Sequence, residues 1–471
     1  MPKHIAIIGG GPAGYVAASH AAAEGASVTL IDPHPLGGTC LHRGCIPTKT
    51  LVEICNLLEK MRRAETYGLR LNGSIEADWP AMRAKAGQVI GLLNRGIDGL
   101  MADRKVTHIQ GRGCIVDGRH VEVPGHGMVE ADAVLVCTGS SPIRPASFQV
   151  DGERIATSDD LLKWDTLPSS LLIVGDGVVA CEFAFIMHAL GVQVTLAAMA
   201  ERPLPFLDRD IASVVQREMR KLGIEFIGRC LVERLDATPG GVAAYADGQL
   251  AATAERALVA VGRRPQSTGL GLEEAGVAVG QRGEIMTDSL MRTNLAGLYA
   301  VGDVNGRLAL AHAASAQARL AVDHILGLDP APLNEAAIPW AVFTMPEIGC
   351  VGLTEQDAVD KGHVVSCGRF DLRGLGKAQA MGELTGLAKV VADRVTGRLL
   401  GVHIVGAHAS DMVHEAAVLI RQGATVHAIT QTVHAHPTLS EALLEAAEDA
   451  LGQAVHKPMK REKTHHVSTL P

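Results

Sequence analysis

Two cysteines five residues apart stand in Gly37-Gly38-Thr39-Cys40-Leu41-His42-Arg43-Gly44-Cys45-Ile46-Pro47-Thr48-Lys49. Such a pair can carry electrons as a dithiol and disulfide, but not from one regular helix. At five residues' separation the side chains point about 140° apart and the axial rise alone is ~7.5 Å, beyond the Cα separation of ~7 Å that a disulfide tolerates. A pair that bridges needs a looped or distorted segment, and Gly44 permits one beside Cys45. Pro47 suits the opening of a helix beyond. A helix N-terminus and Lys49 would both lower a nearby thiol pKa and favour the reactive thiolate. The alternatives are two free thiols in a turn or half of a zinc site. Zinc takes four ligands, usually from short Cys or His knuckles, and no second knuckle exists in the sequence.

Exchange with a dithiol also needs a base near neutral pH, and histidine titrates in that range. The chain has 20 histidines, so finding one is no signal by itself. One stands in a distinctive place, His434-Ala435-His436-Pro437-Thr438-Leu439-Ser440-Glu441. Pro437 denies His436 a helical conformation and allows a cis peptide. Thr438 and Glu441 have the spacing of a capping box, which predicts a helix starting there and a structural role for the carboxylate. Glu441 can serve the helix start and a histidine together only by dividing its two oxygens between them.

The elements that must position these groups begin at the N-terminus. A buried strand over His4 to Ile8 runs into Gly9-Gly10-Gly11-Pro12-Ala13-Gly14, an Ala-rich helix ending near Gly25, and a strand over Ser27 to Ile31 that ends in Asp32. Gly9 permits the tight turn, Gly11 lets a pyrophosphate approach the backbone, and Gly14 lets helix and strand pack closely. Asp32 can accept hydrogen bonds from an adenosine ribose. A second unit repeats the pattern from Leu171 to Val174, through Gly175-Asp176-Gly177-Val178-Val179-Ala180, a helix containing Glu182 and a strand over Val192 to Leu196. Its fingerprint is degraded. Ala180 replaces the third glycine, Asp176 puts a carboxylate in the phosphate loop, and Ala198 stands where an acid would select a free 2′-hydroxyl. Glu201 and Arg202 lie just beyond, so preference between NAD and NADP is not legible.

Composition agrees with α/β units rich in tight turns: 471 residues, 52 glycines and 3% aromatic residues. A net charge of -8 argues against nucleic acid as a partner, and no stretch approaches the ~20 apolar residues of a membrane span. No secretory signal is read at the N-terminus. Of the nine cysteines, Cys114, Cys137, Cys181 and Cys350 sit singly in apolar segments and read as small buried hydrophobes. That usage suits a reducing compartment, and a cytoplasmic location is expected.

The segment Gly38 to Lys49 resembles the signature of the class I pyridine-nucleotide:disulfide oxidoreductases, and Leu41 and Ile46 point to the dihydrolipoamide dehydrogenase branch. The resemblance covers nearly the whole chain, continuing through Thr138-Gly139-Ser140, Gly302-Asp303, Leu310-Ala311-His312 and Phe343 to Gly349. It implies two Rossmann-like dinucleotide-binding domains, for FAD and NAD(P), and a C-terminal α+β dimerisation domain. The implied boundaries are 1–145 and 271–337 for the FAD-binding and central parts, 146–270 for NAD(P), 338–455 for the interface domain and 456–471 for a flexible basic tail. For FAD it implies Gly9, Gly11, Gly14, Asp32, Gly38, Thr39, Lys49, Gly113, Thr138, Gly139, Ser140, Gly302, Asp303, Leu310, Ala311 and His312. For the nicotinamide nucleotide it implies Gly175, Gly177, Val178, Val179, Glu182 and Gly262, with Lys49 also pairing with Glu182.

By the same resemblance Cys45 faces the flavin, Cys40 exchanges with substrate, and His436 oriented by Glu441 is the acid–base group, contributed across a homodimer. The implied activity is oxidation of dihydrolipoamide, free or on a lipoylated carrier protein, with NAD as acceptor. Two alternatives stay open on the sequence: an NAD(P)H-dependent reductase of another disulfide, and a flavoprotein scaffold without turnover in a multienzyme complex.

Overall fold

The computed structural model describes residues 2–457. By contacts the chain forms two compact units. The first runs to residue 206 and adds 215–335 and 343–345, and the second gathers 207–214, 336–342 and the described chain from 346 on.

The first unit holds two parallel sheets of five strands. One has the order Leu298–Ala300, Ala133–Val136, His4–Ile8, Ser27–Ile31, Thr107–Ile109. The other has the order Glu225–Ile227, Gln193–Ala197, Ser170–Val174, Arg256–Val259, Ile155–Thr157. In both, the strand that feeds the glycine loop is central, and the chain moves outward on one side before returning to the other. Ligands of such sheets sit at the carboxyl ends of the strands, where the order reverses. The central strands are apolar after their first residue because both faces are covered. Ile5, Ile7 and Leu135 pack with the helix residues Ala17 and Ala318, and Ala6, Ile8 and Val134 with Ile115 and Val121 of antiparallel strands. In the second sheet Leu172 and Val174 pack with Leu235 and Val242, also of antiparallel strands. Ile5, Ile7, Leu135, Leu171, Leu172 and Ile173 have no exposed surface, and truncating one to alanine would cost about 2–5 kcal/mol.

The glycine turns are followed by helices Pro12–Ala23 and Val178–Ala189, and both end close to the boundaries expected from sequence. Among the cysteines expected to be buried, Cys137, Cys181 and Cys350 are, whereas Cys114 is only half-buried.

The second unit is an antiparallel sheet with the order Trp340–Val342, Ile348–Gly352, Leu399–Val405, Leu387–Asp393, Val365–Asp371. One face, including Val351, Val390 and Val402, packs against helices Ala409–Arg421 and Glu441–Ala450. The other face carries a row in register, Cys350, His403, Lys389 and Arg369. Lys389, 2% exposed, is bound there by Asp208 at 2.8 Å, Asp210 at 2.7 Å and Glu355 at 2.6 Å. Hence residues 207–214, which the sequence placed inside the second nucleotide unit, pack with the C-terminal sheet. Of the tail expected to be flexible, His456 pairs with Glu445 at 2.6 Å and Lys457 with Asp449 at 2.6 Å. Residues 458–471 lie outside the described part.

Candidate active site

The segment between the two cysteines is broken, as the geometry of a disulfide demands. A short helix, Gly38–His42, carries Cys40, and a long one, Cys45–Arg62, begins at the second cysteine. Arg43 and Gly44 form the break without a left-handed residue, since Gly44 has φ of -127°. A Cβ on Gly44 would lie 3.0 Å from the Thr39 carbonyl oxygen, a tight contact that favours glycine there. The ring of His42 reaches back to the Leu36 carbonyl at 2.8 Å, which Asn94 also binds at 2.9 Å. Arg43 faces Asp159 at 3.5 Å. These supports of the loop carry no motif and were not found from sequence.

The two thiols interact and are polarised in opposite directions. Cys45 is pulled down to about 7, chiefly by its interaction with Cys40; burial opposes this, the Lys49 charge assists it and the Glu182 charge resists it. Cys40 is pushed up by the same interaction, by burial and by the charge on Cys45. Lys49 is held at 2.9 Å and 3.0 Å by the two oxygens of Glu182, which is 3% exposed. The Phe343 N–H donates to the same carboxylate at 2.9 Å, and the Lys49 ammonium lies 4.6 Å from the Phe343 ring centroid. A buried carboxylate with three donated bonds is fully compensated, so Lys49 has one fixed position one helical turn from Cys45. Glu182, grouped at first with the nucleotide residues, spends both oxygens on this arrangement.

The first glycine loop fits a dinucleotide. Gly9 has φ of +105° and leaves no room for a side chain, because a Cβ would stand 2.4 Å from the Cys137 carbonyl oxygen. A Cβ on Gly14 would stand 1.7 Å from the Gly9 oxygen. At Gly11 the only neighbour is the Cα of Gly38, at 3.8 Å. The crowded positions set the turn, and the open one leaves backbone for a phosphate to approach. Asp32 accepts from the N–H groups of Gly10 at 2.5 Å and His34 at 2.7 Å.

Around this loop the remaining FAD candidates fall into three places. Thr138 and Gly139 follow strand Ala133–Val136; the Thr138 hydroxyl donates to the Gln266 carbonyl at 2.7 Å, and Gly139 has φ of +71° with open space at its Cβ. Ser140 donates to Asp303 at 2.5 Å and accepts from Arg263 at 2.8 Å. Gly302, at φ of +75°, starts the turn that carries Asp303, and its N–H is bound at 2.8 Å by the fully buried Gln317. Leu310 caps the helix Ala311–Leu326, placing Ala311 and an exposed His312 in its first turn. Gly113 packs against Ile8 and Val121. Arg263, Gln266 and Gln317 were missed from sequence, since single polar residues far along the chain give no local signal.

His436 and Glu441 meet in the C-terminal unit. Glu441 Oε1 lies 2.9 Å from His436 Nδ1, and Oε2 accepts the Thr438 N–H at 2.9 Å. The carboxylate therefore divides its oxygens between ring and backbone. The capping box itself is incomplete: the helix starts at Glu441, and the Thr438 hydroxyl donates instead to the Ala435 carbonyl at 2.7 Å. Burial pushes the Glu441 carboxyl up, but the Thr438 N–H and the His436 ring outweigh it and hold it below the usual range. The His436–Pro437 peptide is cis. His434 faces Glu415 at 3.4 Å.

In the second nucleotide unit Gly175 has φ of +139° and no space for a Cβ, whereas Gly177 has nothing within 4 Å of one. Val178 and Val179 open the following helix. Ala180 is fully buried, so this unit admits a methyl group where the first requires Gly14. Gly262, φ of +124°, accepts from the Ile143 N–H at 3.0 Å. Glu201 pairs with Arg229 at 3.0 Å, and Arg202 donates to the Pro205 carbonyl at 3.3 Å.

Two parallel-sheet dinucleotide units and a polarised dithiol define a flavin-linked disulfide oxidoreductase. The chain belongs to the pyridine nucleotide-disulphide oxidoreductase family, whose model matches residues 3–318 and whose dimerisation domain matches 338–447. Enzymes of this kind use FAD and NAD. The chain is 39% identical over 458 residues to a dihydrolipoyl dehydrogenase of Bacillus subtilis, covering 96% of this chain and 99% of that one. It is 38% identical over 468 residues to dihydrolipoyl dehydrogenase 3 of Haloarcula marismortui, covering 96% and 97%. Among solved structures, LpdA of Mycobacterium tuberculosis superimposes with a TM-score of 0.88 at 32% identity, covering 95% and 99%. The HOCl-induced flavoprotein disulfide reductase RclA of Escherichia coli gives 0.85 at 26% identity, covering 94% and 99%. Among the described residues no helix is long and apolar enough to cross a membrane, and no group of three or more His, Cys, Asp or Glu side chains could hold a metal ion.

Proposed function

We propose that the chain is a cytoplasmic, homodimeric enzyme that oxidises dihydrolipoamide, free or on a lipoylated carrier protein, with FAD and NAD. The observation that carries this reading is the break that sets Cys40 in a short helix and Cys45 at the start of the next, one turn from a Lys49 held by the buried Glu182, in a chain similar over its length to dihydrolipoyl dehydrogenases. A substrate thiol, deprotonated by His436, attacks the sulfur of Cys40 in the Cys40–Cys45 disulfide. The S–S bond breaks, and the electron pair leaves on Cys45, the sulfur favoured as thiolate. The second substrate thiol then displaces Cys40, its own proton passing to the leaving Cys40 sulfur, which gives substrate disulfide, a Cys40 thiol, a Cys45 thiolate and the first proton on His436. Glu441 keeps the imidazole oriented and stabilises its charged form. The chemistry that FAD would supply when bound is acceptance of the dithiol's two electrons and their passage as hydride to the nicotinamide nucleotide.

The residues that would hold FAD are those of the first glycine loop together with Lys49 and the Ser140–Asp303 pair. Those of the second loop would hold NAD. The proposed domains are 1–145 and 271–337 for FAD, 146–270 for NAD and 338–455 for the subunit interface. Steady-state oxidation of free dihydrolipoamide with NAD tests the reading. Turnover should be lost in Cys45→Ser and in Cys40→Ser. Full activity in either variant, or preferential turnover of another disulfide with NAD(P)H, would sink it.

A further inference from the structure

The two nucleotide units share two matching backbone hydrogen bonds around their glycine loops. Gly9 N–H binds the Ile31 carbonyl at 2.8 Å, and Gly175 N–H binds the Ala197 carbonyl at 2.9 Å. One residue later, Asp32 N–H binds the Ile109 carbonyl at 3.1 Å, and Ala198 N–H binds the Ile227 carbonyl at 3.0 Å. These bonds fix the correspondence: Gly10 matches Asp176, Asp32 matches Ala198 and His34 matches Ala200.

The carboxylate has changed sides within this frame. In the first unit the acid comes from the strand end and the loop carries glycine at Gly10, where a Cβ would stand 2.5 Å from Leu36 Cδ2 and 3.2 Å from Asp32 Oδ2. In the second unit the strand end is a buried alanine and the loop supplies the acid. Asp32 accepts the His34 N–H at 2.7 Å, and Asp176 accepts the matching Ala200 N–H at 3.2 Å. Asp176 also accepts the Leu204 N–H at 2.8 Å on its backbone carbonyl, so it ties down the loop after the strand at two points. The carboxylate points toward the strand end, away from the phosphate side of the loop, which removes the electrostatic objection to an acid at this position.

We infer that Asp176 replaces the missing strand-end acid, binds the adenosine ribose hydroxyls of the nicotinamide nucleotide, and makes this chain prefer NAD to NADP. A carboxylate there accepts from the free 2′-hydroxyl and repels a 2′-phosphate. The inference rests on the proposed NAD site, and its test uses no dithiol substrate, so a wrong substrate assignment leaves it standing.

The experiment is equilibrium titration of the oxidised, FAD-loaded enzyme with NAD and with NADP, followed by calorimetry. Asp176→Asn keeps an oxygen for the Ala200 N–H and removes the charge. It should weaken NAD about 10-fold or more, as expected for a hydrogen bond to a charged group, and narrow or invert the NAD-to-NADP ratio. Asp176→Gly combined with Ala198→Asp rebuilds the first unit's arrangement and should recover NAD affinity lost in Asp176→Gly alone. Equal weakening of both nucleotides in Asp176→Asn would reveal a purely structural residue and overturn the inference, as would an unchanged ratio. If Asp176→Gly loses its flavin through misfolding, the Asp176→Asn ratio alone decides.

Discussion

Replacing Lys49 by methionine isolates the electrostatic part of the dithiol chemistry. Cys45 is pulled down to about 7 chiefly by its interaction with Cys40, with burial opposing, the Lys49 charge assisting and the Glu182 charge resisting. A neighbouring opposite charge lowers a pKa by about 1–3 units. Methionine removes that charge while filling similar space, and it leaves Glu182, 3% exposed, with only the Phe343 N–H to compensate it. Both changes act in the same direction, so the Cys45 thiol should rise by roughly 1–2 units. At pH 7 the thiolate would fall from about half to between roughly 1 and 10 per cent of the molecules. The assay is the pH dependence of alkylation of the pre-reduced, FAD-loaded enzyme by iodoacetamide, with the labelled cysteine identified by mass spectrometry. The double variant Lys49→Met with Glu182→Gln removes the repelling charge as well and should return the midpoint part of the way. A single-variant midpoint that stays near 7 would refute the assignment of Lys49 as the cation that supports this thiolate.

Other outcomes follow from the same geometry. Glu441→Gln keeps an acceptor for Thr438 but cannot stabilise a charged His436, so kcat with dihydrolipoamide should fall about 10- to 100-fold; a change under twofold would contradict the pairing. Gly14→Ala places a methyl group 1.7 Å from the Gly9 oxygen and should yield protein depleted of flavin by absorbance. Gly177→Ala meets nothing within 4 Å, so its melting temperature should hold while affinity for NAD drops, measured by titration. Lys389→Met leaves the buried Asp208 without its cation, and Asp210 and Glu355 with Arg369 alone. It should destabilise the C-terminal unit by about 3 kcal/mol in denaturant titrations, the low end for breaking a buried pair because two partners are a third exposed and keep a second cation. Burial alone would raise Asp208 and Asp210, yet Lys389 holds both below the usual range, and it does the same for Glu355. The stability these depressed groups contribute is fully present above the ordinary carboxylate values near pH ~4 and is lost as pH falls through the native ones. Acid unfolding should therefore begin below about pH 4 in the native protein and at higher pH in Lys389→Met.

Much of this protein is determined locally and is readable along the chain. The two strand–glycine–helix–strand units need apolar runs and residues free to adopt positive φ, and both requirements are written in consecutive residues. The need for a break between Cys40 and Cys45, if they bridge, follows from helix geometry alone, whereas spacing offers Glu441 only a place at a helix start and its pairing with His436 comes from the family resemblance. Tertiary structure decided the rest, because the deciding contacts join residues far apart in sequence. Lys49 meets Glu182 across 133 positions, and Lys389 collects Asp208 across 181, pulling residues 207–214 out of the unit that their sequence neighbours form. The register of parallel strands brings Asp176 to the N–H of Ala200. From sequence the degraded second fingerprint is a missing acid at Ala198; in space the carboxylate is present and arrives from the opposite side.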